Sequence, residues 1–521
     1  MVKPDTHTLV IGAGFGGLST ALWVLAAGHR VTLIDAAAAV GGKARTVPSA
    51  AGPVDAGPTV LTMRWVFDEM FAALGARLDD HVTLTEEPVL ARHWWPDGGS
   101  LDLYTDPAAS EAAIEAFSGP GDAAAFRAFR AETETLFDTF RGPMMETAAP
   151  RLAVLAAAAL KSPSALPALM PWATMAGRLA GQFRDPRLRQ LFGRYATYVG
   201  GSPYGSPALL SLIWRAEELG VWRVDGGMHV LAGAMARLAE ARGAEIRLNA
   251  PVARLEYQGG QIAAAITEDG QRIAADQVVF AGDPRALHQG LLGRATRQAV
   301  PRKAVEPRSL SARVWSFAAR PAGRHLLHHN VFFGEDARSE FDPIARGKPP
   351  ERATLYICAE DRGTGRTPPH LERFEIIENA APLGGTPEEA TSCRTRVFQT
   401  LARRGLIFDQ LPPLSALTDP QGFEALFPAS AGSLYGRSPH GAMAALARPR
   451  AATKIPGLFL AGGGTHPGAG VPMAALSGRH AAEAIRTGQT STSTFRQTGM
   501  RGGTSTVFPT AGRAQSRSSP S

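Results

Sequence analysis

Residues 7–18 read His7-Thr8-Leu9-Val10-Ile11-Gly12-Ala13-Gly14-Phe15-Gly16-Gly17-Leu18. An apolar strand ends at Gly12, and good helix formers run from Leu18 to Ala27 before Gly28 closes the helix. A second apolar strand, Arg30 to Ile34, ends at Asp35. Together these form a βαβ unit that opens a parallel sheet. Gly12, Gly14 and Gly17 fit G-x-G-x-x-G: Gly12 permits the tight turn, Gly14 lets backbone approach a pyrophosphate, and Gly17 lets helix pack on sheet. The helix N-terminus then presents N–H groups and positive dipole to phosphates. Asp35 stands 18 positions beyond Gly17, where its carboxylate can accept ribose hydroxyls and repel the extra phosphate of NADP. NAD and FAD share this geometry, so the motif alone leaves the choice between them open. The uncharged stretch Thr8 to His29 is long enough to span a bilayer, but its glycines and the lack of a basic leader or cleavage site favour the nucleotide reading over a membrane span or signal peptide.

Downstream, Gly41-Gly42-Lys43-Ala44-Arg45 can wrap the other side of a pyrophosphate, with Lys43 or Arg45 offsetting its charge. Asp55-Ala56-Gly57-Pro58-Thr59 is turn-like, without an evident structural need for its Asp. Near the C-terminus the strand Gly457 to Ala461 enters Gly462-Gly463-Gly464-Thr465-His466-Pro467-Gly468-Ala469-Gly470 and then a helix over Val471 to Thr487. A second glycine loop facing a helix N-terminus suits a long ligand, and its dipole favours negative charge on a reduced flavin ring. A nicotinamide enzyme has no need of it. Between these ends lie a hairpin over Ala91 to Tyr104, a helical region over Pro107 to Leu219, and a helix from Met228 to Arg242 after Gly226-Gly227. Val252 to Tyr257 and Gln277 to Ala281 read as strands.

These segments resemble the FAD-dependent bacterial carotenoid desaturases of the phytoene desaturase/amine oxidase superfamily. The resemblance covers residues 5 to about 487. It rests on Val10 to Gly14, Gly41-Gly42-Lys43, Asp55 to Thr59, Gly226-Gly227-Met228 and Gly462 to Pro472. Leu355 to Arg362 and Ser433 to Arg437 look most like the 1-hydroxycarotenoid 3,4-desaturases of phototrophic bacteria, also called hydroxyneurosporene or methoxyneurosporene dehydrogenases. Amine oxidases carry an acidic residue just after the C-terminal Gly pair, where this chain has Gly463-Gly464. By resemblance the cofactor-binding residues are Gly12, Gly14, Gly17, Asp35, Gly42, Lys43, Gly57, Pro58, Thr59, Val252, Gly462, Gly470, Val471 and Met473. Val252 belongs to the strand whose backbone usually holds the adenine.

The resemblance implies an α/β fold: a discontinuous Rossmann-like FAD-binding domain, an inserted α+β substrate domain and a helical membrane-associating region. The expected segments are FAD-binding parts at 1–100, 221–290 and 451–488, a helical substrate and membrane region at 101–220, a substrate domain at 291–450, and a flexible basic tail at 489–521. The implied reaction removes two hydrogens from an acyclic carotenoid, forming the 3,4 double bond of a 1-hydroxyneurosporene-type compound. Quinone or oxygen is the expected electron acceptor. A phytoene-type desaturase, a redox-neutral carotenoid isomerase and a flavin-free lipid escort are the alternatives. Orientation and exclusion of water carry most of such a reaction, so no dedicated catalytic side chain is assigned. Asp55 and His466 are conceivable proton acceptors for which backbone support or packing is the simpler role, and Trp94-Trp95 fit a polyene tunnel or a buried strand pair equally well.

Composition agrees with a folded enzyme. Of 521 residues 45% are hydrophobic and 19% charged, enough to bury a core. Four of the seven net positive charges are Arg496, Arg501, Arg513 and Arg517 in the tail. Cys358 and Cys393 exclude a disulfide framework or a four-thiolate metal site and fit a reducing compartment. His325-Leu326-Leu327-His328-His329 has no matching acidic or Cys cluster in the sequence, so packing is expected and no metal. Residues 151–194 set Arg151, Lys161, Arg178, Arg184, Arg187, Arg189 and Arg194 against Asp185 alone, among Leu152, Leu160, Leu179, Trp172 and other apolar residues. That mixture, interrupted by prolines, fits a peripheral site on the cytoplasmic side of an anionic membrane, from which an insoluble polyene is collected. No nucleic-acid reader module is present.

Overall fold

The computed structural model describes residues 6–488; the expected basic tail lies outside them. Five parallel strands form the first sheet, in the spatial order Leu458–Leu460, Gln277–Phe280, His7–Ile11, Arg30–Ile34, Glu245–Arg247. Strand residues point alternately to opposite faces, and each face has its own core. Val10, Leu33, Val279 and Phe459 pack under the helices Phe15–Ala26, Met228–Ala241 and Val471–Thr487. Leu9, Ile11, Ile34, Val278 and Phe280 pack under a three-stranded antiparallel sheet, Val252–Gln258, Gln261–Thr267 and Arg272–Ala274, through Leu255 and Ile262. Burial on both faces explains why these strands read as continuous apolar runs.

The second layer is a seven-stranded sheet ordered Leu417–Thr418, Ser311–Ala319, Glu372–Ala380, Leu355–Ala359, His329–Phe332, Val89–Trp94, Ser100–Tyr104. His329–Phe332 and Val89–Trp94 pair in parallel; every other neighbouring pair is antiparallel. The hairpin at 89–104 thus lies in the substrate sheet, so residues 1–100, read as one FAD-binding segment, carry a strand and the start of a second from the other layer. The reason is register: Asn330 to Phe332 pair with Arg92 to Trp94 across more than 200 residues, which local pattern cannot disclose.

The helical region follows between residues 107 and 218 and packs on one face of this sheet, against Leu101, Leu103, Val331 and Tyr356. Its core is aromatic: Phe126, Phe129, Phe183, Phe192 and Trp214 are all almost fully buried. No single helix among the described residues is long and apolar enough to cross a membrane; Leu152–Lys161 and Pro163–Leu169 form a pair bent by 107°. Much of the basic character expected to face lipid is instead tied to protein. Arg178 pairs with Glu132, Arg187 with Asp185 and Asp97, and Arg194 donates to the Tyr198 hydroxyl. Arg151 and Lys161 are exposed, beside Leu152 (60% exposed), Leu160 (73%) and Trp172 (78%).

Candidate cofactor and substrate site

Both glycine loops meet at the ends of the parallel strands. A Cβ on Gly16 would lie 2.4 Å from the Gly462 nitrogen, so the first helix and the C-terminal loop touch backbone to backbone. The Ser19 hydroxyl donates to the Ala475 carbonyl (2.6 Å), locking the helices Phe15–Ala26 and Val471–Thr487 together. A Cβ on Gly17 would meet the Gly12 carbonyl oxygen at 1.8 Å, which makes helix-on-strand packing depend on glycine there. Gly12 and Gly462 both adopt positive φ, at 109° and 100°.

Gly14 is the N-cap of the first helix and supplies no capping side chain, so the helix N-terminus is left for a ligand. Gly41 bridges to Gly14 and donates its N–H to the Ala13 carbonyl (2.8 Å), which brings the Gly41-Gly42 turn alongside the fingerprint. The Asp35 carboxylate accepts from the N–H groups of Ala13 (2.6 Å) and Ala37 (2.8 Å), fixing it at the mouth of that turn. Ala250 N–H donates to the Asp35 carbonyl (2.8 Å), which places Val252, two residues on, at the same end. Gly57 abuts the Lys43 carbonyl, at 2.0 Å from an added Cβ. Gly470 caps the helix that carries Val471 and Met473, and the Ser477 hydroxyl accepts from Gly462 N–H (2.7 Å).

Lys43 is placed differently from the expectation of a free phosphate partner. Its ammonium donates to the Leu434 carbonyl, 5.5 Å over the Phe427 ring centroid. Burial, with Arg308 and Arg448 nearby and only partly offset by Asp283, pulls its pKa down to about 8. Arg448 is likewise buried, its pKa pulled down to about 10 by desolvation and then by Arg308 and Arg437, and it donates to the carbonyls of Gly463, Tyr435 and Arg437. Lys43, Arg308 and Arg448 thus surround Asp283 behind the C-terminal loop. This excess of positive charge, together with the open helix N-terminus and the paired glycine turns, fits an extended anionic dinucleotide.

Asp55 takes the backbone-supporting role that was the simpler reading of it. Its carboxylate accepts from Met228 N–H (2.7 Å) and contacts His229 Nδ1 (2.9 Å), capping the helix Met228–Ala241. The Asp55 N–H donates to Glu360 (2.7 Å), whose carboxyl is pushed up to about 8 by burial and then by the Asp55 charge. His466 bonds the Thr147 carbonyl (2.9 Å) and stacks on His480, and burial lowers its pKa to about 4: it is a neutral strut. Trp94, which ends its strand, and Trp95, just after it, point to different cores. Trp94 stacks on Phe332 in the core behind the sheet, while Trp95 donates to Gln190 (3.2 Å) and lines a cavity of about 440 Å3 with Phe333, Arg194, Tyr204 and Phe341.

On the sheet face toward Thr59 lies a polar group that sequence reading missed. The Thr59 hydroxyl bonds the Tyr356 hydroxyl (2.6 Å), which contacts His329 Nδ1 (2.7 Å). Arg194, from the rim of the cavity, sits 5.3 Å over the Tyr356 ring. His328, His329 and Cys358 bring potential ligand atoms within 4.8 Å of one another, with His328 Nδ1 bonded to the Arg362 carbonyl. A second such group, Glu378, Glu388 and Cys393, is neutralised by Arg396 and Arg313. The alternation Tyr356, Cys358 was the available signal; the strands that complete the face lie too far apart in sequence to be aligned by it.

Residues 15–340 and 415–486 match the family described as flavin containing amine oxidoreductase. The chain is 57% identical over 478 residues to the hydroxyneurosporene desaturase of Cereibacter sphaeroides, covering 92% of this chain and 97% of that one. It is 51% identical to the Rhodobacter capsulatus protein of the same name, over 93% and 98% of the two chains. A phytoene desaturase (lycopene-forming) from a Paracoccus species is 30% identical over 92% and 96%. Among solved structures a putrescine oxidase superposes with a TM-score of 0.59 at 16% identity, over 93% of this chain and 99% of that one, a likeness of fold. With the matched segments covering well over half of its residues, the chain belongs to the flavin containing amine oxidoreductase family.

Proposed function

We propose that this protein is a carotenoid 3,4-desaturase, removing two hydrogens from a 1-hydroxylated acyclic carotenoid of the hydroxyneurosporene type. The observation that carries this reading is 57% identity to a hydroxyneurosporene desaturase across nearly the whole of both chains. FAD would be held by the N-terminus of the first helix at Gly14, by Asp35, by the turns at Gly42 and Gly57–Thr59, and by Gly462 and Gly470–Met473. Bound there, it supplies a two-electron acceptor that takes a hydride from carbon, to be reoxidised by a quinone or by oxygen. The chain's own part is mostly placement. Its two layers would hold the polyene against the flavin and keep water from the reacting carbons. Glu360, beside the Asp55 N–H, keeps its proton at neutral pH and so adds no second negative charge to that wall.

Docking on the cytoplasmic face of a membrane completes the reading. The exposed Leu152, Val154, Leu160 and Trp172 flank the exposed Arg151 and Lys161 on the bent helix pair and the turn after it. Apolar side chains with basic neighbours suit insertion at an anionic interface.

The test is product analysis after feeding phytoene and 1-hydroxyneurosporene separately. Loss of two hydrogens from the hydroxylated compound is expected. Conversion of phytoene alone would assign a phytoene-type enzyme, and a product of unchanged mass would assign an isomerase.

A further inference from the structure

Four strands of the substrate sheet place one polar residue each in a single cross-strand row. Ser316 is opposite Glu375, Glu375 opposite Cys358, and Cys358 opposite His329. Directly paired residues project from the same face, so the four side chains stand side by side across the sheet. All are buried, between 0% and 2% exposed. The Ser316 hydroxyl and His329 Nε2 have no hydrogen-bond partner among the described residues, and the Glu375 carboxyl has no side-chain partner there, with only the Gly57 backbone N–H beside it. Native interiors rarely leave such atoms unpaired, because each costs the desolvation of a polar group with nothing in return. Under-satisfied groups on three strands of one row point to a polar ligand.

The row's position and chemistry narrow what that ligand is. Tyr356 projects from the same face two residues before Cys358 and ties the row to Thr59 through its hydroxyl. Gly57 and Arg45 lie next to Glu375. The row therefore borders the Gly57–Thr59 turn, which on the proposed function belongs to the flavin site. Burial holds the Glu375 carboxyl well above the usual carboxylate range and His329 well below the usual imidazole range. The row is then uncharged: it offers O–H donors at Glu375 and Ser316, and a neutral imidazole whose Nε2 accepts when Nδ1–H is given to Tyr356. An alcohol, one donor and two lone pairs, complements that set, whereas an anion or a bare hydrocarbon does not. In a 1-hydroxylated carotenoid the hydroxyl is two carbons from the C3–C4 bond, so whatever binds it must lie beside the reacting carbons.

We propose that Ser316, Glu375 and His329, backed by Cys358, Tyr356 and Thr59, form the subsite that binds the substrate's tertiary hydroxyl and selects the hydroxylated end of the polyene for oxidation. This rests on the proposed function. It assigns a specificity role to residues of the second sheet, next to the Gly57–Thr59 turn. A hydrocarbon end group would leave the row unsatisfied, which gives the site a physical means of rejecting phytoene.

The test compares dissociation constants for 1-hydroxyneurosporene and neurosporene in detergent-dispersed form, read by quenching of tryptophan fluorescence in the FAD-loaded protein. Glu375→Leu and His329→Phe should each lower the preference for the hydroxylated compound by about tenfold per lost hydrogen bond, with neurosporene bound no worse. Glu375→Gln, which keeps a donor, should restore most of it. Ser316→Ala is the mildest change and serves if the larger ones unfold. An unchanged preference in variants that retain flavin absorbance overturns the subsite, as does stoichiometric zinc or copper in the purified protein that is lost with His329→Phe. Binding needs no turnover, so a protein that prefers the hydroxylated polyene without oxidising it would sink the reaction and keep the subsite.

Discussion

Gly16→Ala is the sharpest perturbation of the contact between the two termini. The new Cβ would lie 2.4 Å from the Gly462 nitrogen and 2.5 Å from its Cα, about 1 Å short of the 3.4 Å at which ordinary contact begins. Both atoms are backbone and the Gly462 N–H is already held by Ser477, so no side chain can swing away. Overpacking of this kind costs about 1–3 kcal/mol. If the strain is released by parting the loops that grip FAD, affinity falls by roughly 5- to 150-fold, at about 1.4 kcal/mol for each factor of ten. Alanine also gains up to about 1 kcal/mol of helix propensity over glycine, so apoprotein stability should move less than FAD affinity. The assay is titration of apoprotein with FAD, followed by flavin fluorescence, alongside thermal melting. Gly181→Ala is the control: its Cβ would meet nothing within 4 Å, in the helix Met175–Gln182, and FAD affinity should stay as in the wild type. Wild-type FAD affinity in Gly16→Ala would refute the claim that these loops jointly form the site.

Asp55→Ala removes the cap of the helix Met228–Ala241 and should cost about 1–2 kcal/mol by denaturant unfolding, with Asp55→Asn recovering part of it; an unchanged midpoint would remove the capping role. Glu360 binds its proton more tightly folded than unfolded, with a pKa of about 8 against 4.5, so its contribution to stability is greatest below the lower value and is lost as pH rises through about 8. Melting temperature in the wild type should therefore fall more steeply from pH 6 to pH 9 than in Glu360→Gln; parallel profiles would contradict this. Replacing Leu160 and Trp172 by serine should weaken binding to anionic vesicles by at least tenfold at high salt, since each exposed apolar side chain is worth about 1.5–3 kcal/mol when buried. Arg151→Gln and Lys161→Gln should matter only at low salt, at about 1 kcal/mol each. Vesicle binding that is indifferent to all four changes would remove this docking surface.

What was legible in the sequence was whatever depends on neighbours along the chain. His7 to Asp35 disclosed strand, turn and helix because the glycines there answer local steric demands, and the helix Val471–Thr487 was bounded by Gly470 and Gly488 for the same reason. Backbone support was the simpler role for Asp55, but which helix it caps was hidden because that helix begins 173 residues later. Lys43 read as a phosphate partner because its sequence neighbours are glycines, whereas its amine is claimed by the Leu434 carbonyl, 391 residues on. The row Ser316, Glu375, Cys358, His329 could not be seen at all, since it exists only once four strands adopt one register. Trp94 and Trp95 were read as equivalent, and the structure sends them to different cores at the end of one strand.

The central claim is that one flavin, gripped by both ends of the chain, oxidises a hydroxylated polyene. It is tested most directly by mixing the FAD-loaded protein anaerobically with excess 1-hydroxyneurosporene in liposomes, without any acceptor. The account predicts one bleached flavin for each molecule of product that is lighter by two hydrogens and absorbs at longer wavelength. Product formed without flavin bleaching, or bleaching without a change of mass, would contradict it.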